Sequence, residues 1–459
     1  MKGSYLKKAS VVLTILALSA PAWADADPSE RERALEQRVA ELERLVNQLL
    51  IERNDQLAAG GSAGEDADAA VESVRRDMAS VSERVTAVEE AEATPAAVEI
   101  VRGSTRFNFS GYLKSDLMWT RYSGGSVAPN ALIRDFRIPG QIPVGGDAST
   151  TDVDFHAKES RVNFGFAHDV GNGREVAGFV ELDFLVGPGG NERISNSYTT
   201  RVRHAFLTYG NWKVGQYWST FFDVGALPDN LDFIGPTEGT AFARQPQIRY
   251  TNGPWQLAVE NPETTITPFG GGGRIVTDTA TIPDLIARYT VDGDWGHFSV
   301  AGLGRQLSVD TDAGTERATG LALSVSGKVN FGRDDLKWMV TGGPGVGRYL
   351  GLNTANDVVF DENGELEPID AYGAFLAYRH FWNDQWKSTI TLSAFSADND
   401  VNLTGLGVTQ EVYSGLANLI YQVNPKLRMG MEYTYSRRET EAGLSGNMNR
   451  LQFSTIYAF

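Results

Sequence analysis

Two rhythms divide the chain. From position 106 onward, apolar and polar side chains alternate with a period of two, the repeat of a pleated strand whose two faces see different surroundings. Phe107, Phe109, Leu113, Leu117 and Trp119 fall on one parity, and Arg106, Asn108, Lys114, Asp116 and Thr120 on the other. The last stretch repeats the pattern, with Leu451, Phe453, Tyr457 and Phe459 against Arg450, Gln452, Ser454 and Ala458. A terminal aromatic frays in water unless something holds it. A strand with lipid on one face and a wet lumen on the other is therefore the preferred reading, and an amphipathic edge strand of a soluble β-protein is the alternative.

Sixteen strands are expected, near 106–120, 153–168, 175–187, 198–209, 212–218, 244–251, 255–261, 283–291, 295–309, 317–330, 335–349, 370–382, 386–398, 409–422, 427–435 and 450–459. The connections sort by length. After even-numbered strands they are tight turns rich in Gly, Asn, Asp and Pro, as at 210–211, 252–254, 292–294 and 424–425. After odd-numbered strands most are longer, about thirty residues after the first and about twenty-five after the fifth. A soluble sandwich has no reason to place its tight turns at one end, whereas a transmembrane barrel does. Trp212, Trp255, Trp295, Trp338 and Trp382 recur at 43, 40, 43 and 44 residues, each beside a tight turn, with Trp386 flanking the last. One aromatic per hairpin at one depth is an interfacial girdle. A propeller also repeats at this length, but it does not leave so long a loop after its first strand. The fold expected is an all-β, 16-stranded antiparallel transmembrane barrel over 106–459.

Upstream the period is three and four. Leu35, Val39, Leu42, Val46 and Leu49 form one helical seam, and Val71, Val74, Met78, Val81, Val85 and Val88 a second. Short helices need partners to be stable, so residues 25–98 are expected to form a self-associating coiled-coil arm and linker. The seam residues divide on copy number, since Val and Leu in the first favour dimers and branched residues in the second favour higher order. A loosely helical acidic arm is the other reading. Residues 1–24 have the three parts of a secretory signal: Lys2, Lys7 and Lys8, an apolar run over 11–18, and Ala22-Trp23-Ala24.

Composition then narrows the field. No cysteine is present, which removes thiolate and zinc-thiolate chemistry. No apolar run after residue 24 is long enough for a membrane helix, so any span must be β. The net charge of −17 argues against nucleic acid as a partner. Residues 25–98 hold 18 acids against 8 bases, so the overall acidity says little about what a pore would select.

Several runs are shared with a known group. Val214-Gly215-Gln216-Tyr217-Trp218-Ser219 and the segment 222–233, with Asp223, Pro228, Asp229, Asn230 and Asp232, resemble the DcaP-like family of outer-membrane porins. Arg244-Gln245-Pro246-Gln247-Ile248-Arg249-Tyr250, Val259-Glu260-Asn261-Pro262 and Pro283-Asp284-Leu285-Ile286-Ala287-Arg288-Tyr289 resemble it too, and the final strand resembles the terminal assembly signal of bacterial outer-membrane barrels. The resemblance implies a homotrimer in the bacterial outer membrane, a third loop folded into the lumen, and passage of small organic anions such as dicarboxylates.

A barrel of this width leaves an aqueous channel, so selectivity rests on the charges that face it. Parity places Arg161, Arg249, Arg288, Arg305 and Arg428 on polar faces, with Arg201 and Arg203 together on one strand. Guanidinium stays charged and holds both oxygens of a carboxylate, so these seven are the expected anion path. They could instead neutralise Glu159, Glu175, Glu181, Asp183, Glu260 and Glu432 on the same faces. The constriction loop is expected at 219–243, with Asp223, Asp229, Asp232 and Glu238 opposite an arginine wall.

No catalytic constellation emerges, and no cofactor or metal is expected. His156, His168, His204, His297 and His380 lie on five different strands without metal-ligand spacing. Gly270 to Gly273 lack the Lys-Ser/Thr pair of a phosphate loop, and Asp398, Asp400 and Asn402 run into Leu403 where a calcium loop needs Gly. The reading is a passive porin, not an enzyme. The alternatives are an outer-membrane barrel hydrolase, or a tether whose periplasmic arm grips peptidoglycan while the pore is incidental.

Overall fold

A computed structural model describes residues 98–171, 173–186, 195–312 and 314–459. The signal segment and both helical seams lie outside the described residues. In chain order the strands are β1 (Val98–Arg102), β2 (Thr105–Tyr122), β3 (Thr150–His156), β4 (Arg161–Gly171), β5 (Arg174–Asp183), β6 (Arg201–Tyr209), β7 (Trp212–Trp218), β8 (Arg244–Asn252), β9 (Trp255–Glu260), β10 (Thr264–Thr267), β11 (Ile275–Thr277) and β12 (Asp284–Gly293). They continue with β13 (Gly296–Thr311), β14 (Gly314–Phe331), β15 (Asp334–Pro344), β16 (Val358–Phe360), β17 (Leu366–Pro368), β18 (Asp370–Phe381), β19 (Trp386–Asp398), β20 (Thr409–Asn424), β21 (Leu427–Thr440) and β22 (Ser445–Ala458).

Each barrel strand pairs antiparallel with the next. β22 returns to β2 in a register running from Tyr112 opposite Ala458 to Tyr122 opposite Met448. Phe459 finishes the seam by exchanging backbone hydrogen bonds with Gly111, at 2.9 and 3.1 Å. Counting β3 and β4 as one interrupted strand, the described residues form a closed 16-stranded barrel, while β10, β11, β16 and β17 make a separate small sheet in the long connections.

The expected strand 153–168 is broken in two because Ser160 substitutes for the ladder. Its Oγ accepts from the Lys114 N–H at 3.0 Å and donates to the Lys114 carbonyl at 3.2 Å, and Glu159 turns inward onto the Lys114 ammonium. The stretch between the expected arm and linker, which ended at 98, and the expected barrel, which began at 106, contributes β1, which folds back on β2 beside the Phe459 seam.

The two-residue rhythm sorts as expected. Along β2, Leu113, Leu117 and Trp119 are exposed outside, and Lys114, Asp116, Met118, Thr120 and Tyr122 are buried inside. Trp212, Trp255, Trp295, Trp382 and Trp386 stand exposed at the end that carries the tight turns. This exposed apolar belt is stable only against lipid, since a closed barrel satisfies its own backbone polar groups.

The lumen holds an apolar core of its own. Ile133, Phe136, Ile138 and Ile142 from the connection 123–149 pack with Phe221, Phe222, Ile234 and Phe242 from 219–243 and with Tyr349, Leu350, Val359 and Ile369 from 345–369. Each buried phenylalanine or isoleucine contributes about 1.5–3 kcal/mol. Three connections therefore narrow the barrel where the sequence suggested one.

Candidate functional site: the lumenal constriction

The segment 219–243 crosses the lumen without a strand partner, so its backbone polar groups are satisfied partly by turns within the loop and partly by side chains of the wall. Glu260 accepts from the Thr220 N–H at 2.7 Å. Glu432 accepts from Leu231 N, Asp232 N and Asn230 Nδ2 at 2.9, 3.0 and 2.8 Å. Donors reach the carbonyls in turn: Lys114 Nζ and Gln452 Nε2 to Leu231, Lys337 Nζ to Leu227, Asn418 Nδ2 to Asp229, and Arg288 Nη1 to Phe222, all within 2.7–2.9 Å. The loop lies directly on β18. A Cβ at Gly373 would meet the Glu238 carbonyl at 2.7 Å, so a larger residue there would lift the loop.

Its four acids are all engaged. Asp223 accepts from Ser326 Oγ at 2.7 Å and pairs with His297 Nε2 at 2.8 Å. Asp229 meets Lys387 at 2.5 Å, Arg428 at 3.1 Å and Arg379 at 3.9 Å. Asp232 accepts from the Arg137 N–H at 2.9 Å and lies 3.8 Å from Arg450. Glu238 is fully buried, where it pairs with Arg137 and accepts from Ser414. Burial alone would raise the Asp229 carboxyl, but Lys387 and Arg428 hold it well below the usual carboxylate range. Burial acts the same way on Asp223, and His297 overrides it. Both loop carboxylates therefore stay ionised at neutral pH. The acids do not form an open face across from an arginine wall, because each is held locally by its own hydrogen-bond and ion-pair partners.

The seven arginines separate into four settings. Arg161, Arg201 and Arg203 converge on Glu181 and Asp183, with Arg201 bidentate on Asp183 at 2.7 and 2.8 Å and Arg203 reaching both acids. Arg249 and Arg288 bind the root of the loop, at the Trp218 and Phe222 carbonyls. Arg305 is buried between Asp284 and Asp357. Arg428 lies under the loop at Asp229.

One arginine of the first cluster was not legible. Arg244 begins β8 on the outward parity, since Gln245, Gln247 and Arg249 are the buried ones. Its guanidinium nevertheless sits 4.8 Å from the Trp218 ring, which Arg203 approaches at 5.5 Å. The Phe233 ring of the loop lies 5.2 Å from Arg203, 5.9 Å from Arg161 and 6.0 Å from Arg201. Four guanidiniums thus surround two rings, against two carboxylates. On β6 itself a register shift in the pairing with β5 leaves Arg203 and its neighbour His204 both buried, which breaks the parity rule on that strand. Arg161 Nε and Arg244 Nη1 are buried donors without a hydrogen-bond partner. Arg137 was also missed because a loop residue has no parity, whereas Arg379 and Lys387 occupy inward positions that parity could have found.

The arrangement offers fixed positive charge in a water-filled wall, the property that draws and orients carboxylates. Among the described residues no group of metal-ligating side chains converges.

Comparison with known proteins fits this geometry. No curated protein matches the sequence. The outer membrane channel DcaP of Acinetobacter baumannii superposes with a TM-score of 0.65 at 21% identity, over 80% of this chain and 100% of that one. OmpF of Salmonella typhi, solved with daunomycin, follows at 0.50 and 12%, over 79% and 100%. A loop-deletion mutant of OmpT from Vibrio cholerae gives 0.49 and 13%, over 78% and 100%. The family model of the DcaP outer membrane protein matches residues 100–459, the whole of the barrel, and the chain belongs to that family of outer-membrane porins.

Proposed function

We propose that this porin is a passive diffusion channel that prefers small anionic solutes such as dicarboxylates. The observation that carries the reading is the cluster of Arg161, Arg201, Arg203 and Arg244 beside the loop ring Phe233, where guanidiniums outnumber the carboxylates Glu181 and Asp183 and two N–H donors have no protein acceptor. Of these, Arg161 and Arg201 keep 19% and 18% of their side-chain surface accessible, so they can meet a solute, whereas Arg203 keeps 1%. A permeating carboxylate would meet the accessible surface of Arg161 and Arg201 and leave again, because water competes for both partners.

The test is reversal potential across a planar bilayer in a salt gradient. Wild-type channels are expected to favour chloride over potassium, and the pair R161Q/R244Q to lose most of that preference. Cation preference in the wild type, or no change in the pair, would sink the reading.

Residues 1–24 act as an export signal in this proposal, and 25–97 as a periplasmic coiled-coil arm of a homotrimer that contacts peptidoglycan. β1 begins at Val98 and pairs with β2 of the barrel. Deleting 25–97 is therefore expected to leave single-channel conductance within about twofold of wild type, because every charge named above lies elsewhere. Loss of conduction in a folded, inserted deletion protein would assign the arm a part in the pore itself.

A further inference from the structure

The arginine cluster beside Phe233 is not the sole accessible patch of positive charge. Arg379, Lys387 and Arg428 stand within a few residues of tight turns, on β18, β19 and β21, and keep 22%, 17% and 22% of their side chains accessible. By contrast Arg137, Arg203, Arg305 and Arg450 keep at most 1%, so no solute can reach them. Lys337 joins the patch from β15, with Nζ on the Leu227 carbonyl. The carboxylates that touch these four cations are Asp335, bound by Arg379, and Asp229 of the loop. Glu432, further along β21, spends its oxygens on loop amides and Asn418.

We propose that Arg379, Lys387 and Arg428 form a second carboxylate-binding site on the short-turn side of the constriction, and that Asp229 occupies it as a tethered mimic of the solute. The inference rests on the anion-channel reading and adds a second site to it. Asp229 presents its two oxygens as a free carboxylate would: Oδ1 to Arg428, Oδ2 to Lys387 and Arg379. It is set there by its own backbone, whose carbonyl accepts from Asn418 Nδ2 at 2.9 Å, and by the adjacent Asn230, which donates to Glu432. The cations exceed the carboxylates they touch, so the site remains attractive to a passing anion with Asp229 in place. A carboxylate-bearing solute would share the three cations and be displaced by Asp229 as it leaves, which keeps the site weak enough for flow.

The experiment records succinate-induced current blocks through the full-length channel, with Asp229→Asn as the principal variant. Removing the tethered charge is expected to lengthen the succinate residence time roughly tenfold, since one unit charge a few ångströms from a partly solvated partner is worth at least that factor. Adding Lys387→Gln to that variant should return it towards the wild-type value. Unchanged or shorter residence in Asp229→Asn overturns the proposal. Should that variant fail to assemble, Lys387→Gln alone decides: shorter residence than wild type supports the site, and unchanged residence overturns it. A wild-type channel that prefers cations would instead defeat the earlier reading, while an anion-preferring channel indifferent to both substitutions defeats only this one.

Discussion

Replacing Arg137 by Ala is expected to free the constriction loop from the wall at a cost of about 3–5 kcal/mol, the usual penalty for stranding one partner of a buried ion pair. Arg137 is fully buried. Its N–H donates to Asp232 at 2.9 Å, and its guanidinium pairs with Glu238 and donates to the Gly235 carbonyl. It thereby joins the connection 123–149 to the loop 219–243. With the guanidinium gone, the fully buried Glu238 retains only Ser414 as a hydrogen-bond partner. The loss should appear as protease cleavage within 219–243 and as larger open-channel noise, with the barrel itself still folded. The double replacement R137M/E238L discriminates the cause, because exchanging both partners for apolar groups leaves no orphaned charge and should restore most of the loss. A single replacement as quiet as the double would show that the pair does not hold the loop.

Arg305 should behave similarly at a different place. Its guanidinium binds Asp284 at 3.2 Å, Asp357 at 2.6 Å and the Gly345 carbonyl at 2.7 Å, as well as the Glu263 carbonyl. Asp357 in turn accepts from Thr265 N at 2.8 Å and Arg348 N at 2.8 Å, tying β10 to the segment before β16. R305A leaves Asp284 with the Arg348 guanidinium and the Tyr349 hydroxyl, and Asp357 with Thr265 and backbone N–H groups but no cation, an expected cost of about 3–5 kcal/mol. The small sheet β11-β10-β16-β17 is what should come loose, so backbone amides of 264–267 and 358–360 should exchange hydrogen faster while those of β13 stay protected. R305K is not a rescue, since a point ammonium cannot serve acceptors spread around a planar fork. Uniform exchange in R305A and wild type would refute the anchoring role.

These two arginines show where reading the chain succeeds and where it stops. Parity put Arg305 on the inside, and that is where its side chain lies. Parity says nothing of what waits inside, and Asp357 arrives there from a connection 52 residues further on. Arg137 had no parity to read. Arg244 was hidden because its place on β8 reads as outward, and near Arg203 the rule fails outright, since one extra inward residue on a strand cancels a count by two. The interruption at Ser160 was unreadable for a related reason, because a serine that replaces ladder hydrogen bonds looks like any inward serine in a strand.

What the amino-acid sequence determined by itself is everything that depends on a local period. The apolar parity selects the lipid face, the Gly, Asn, Asp and Pro turns select the end, the tryptophans select the depth, and sixteen such units are enough to close a barrel around a lumen. Tertiary structure alone decided how that lumen is used. Three connections fold inward together, and each loop carboxylate meets side chains from distant parts of the chain, Asp229 from three strands and Glu238 from another connection. The arginines are thereby divided into those sealed in ion pairs and those that water can still reach. The physical reason is range: strand pattern is set by neighbours two residues apart, whereas charge is balanced by whichever groups the closed barrel happens to bring within a few ångströms.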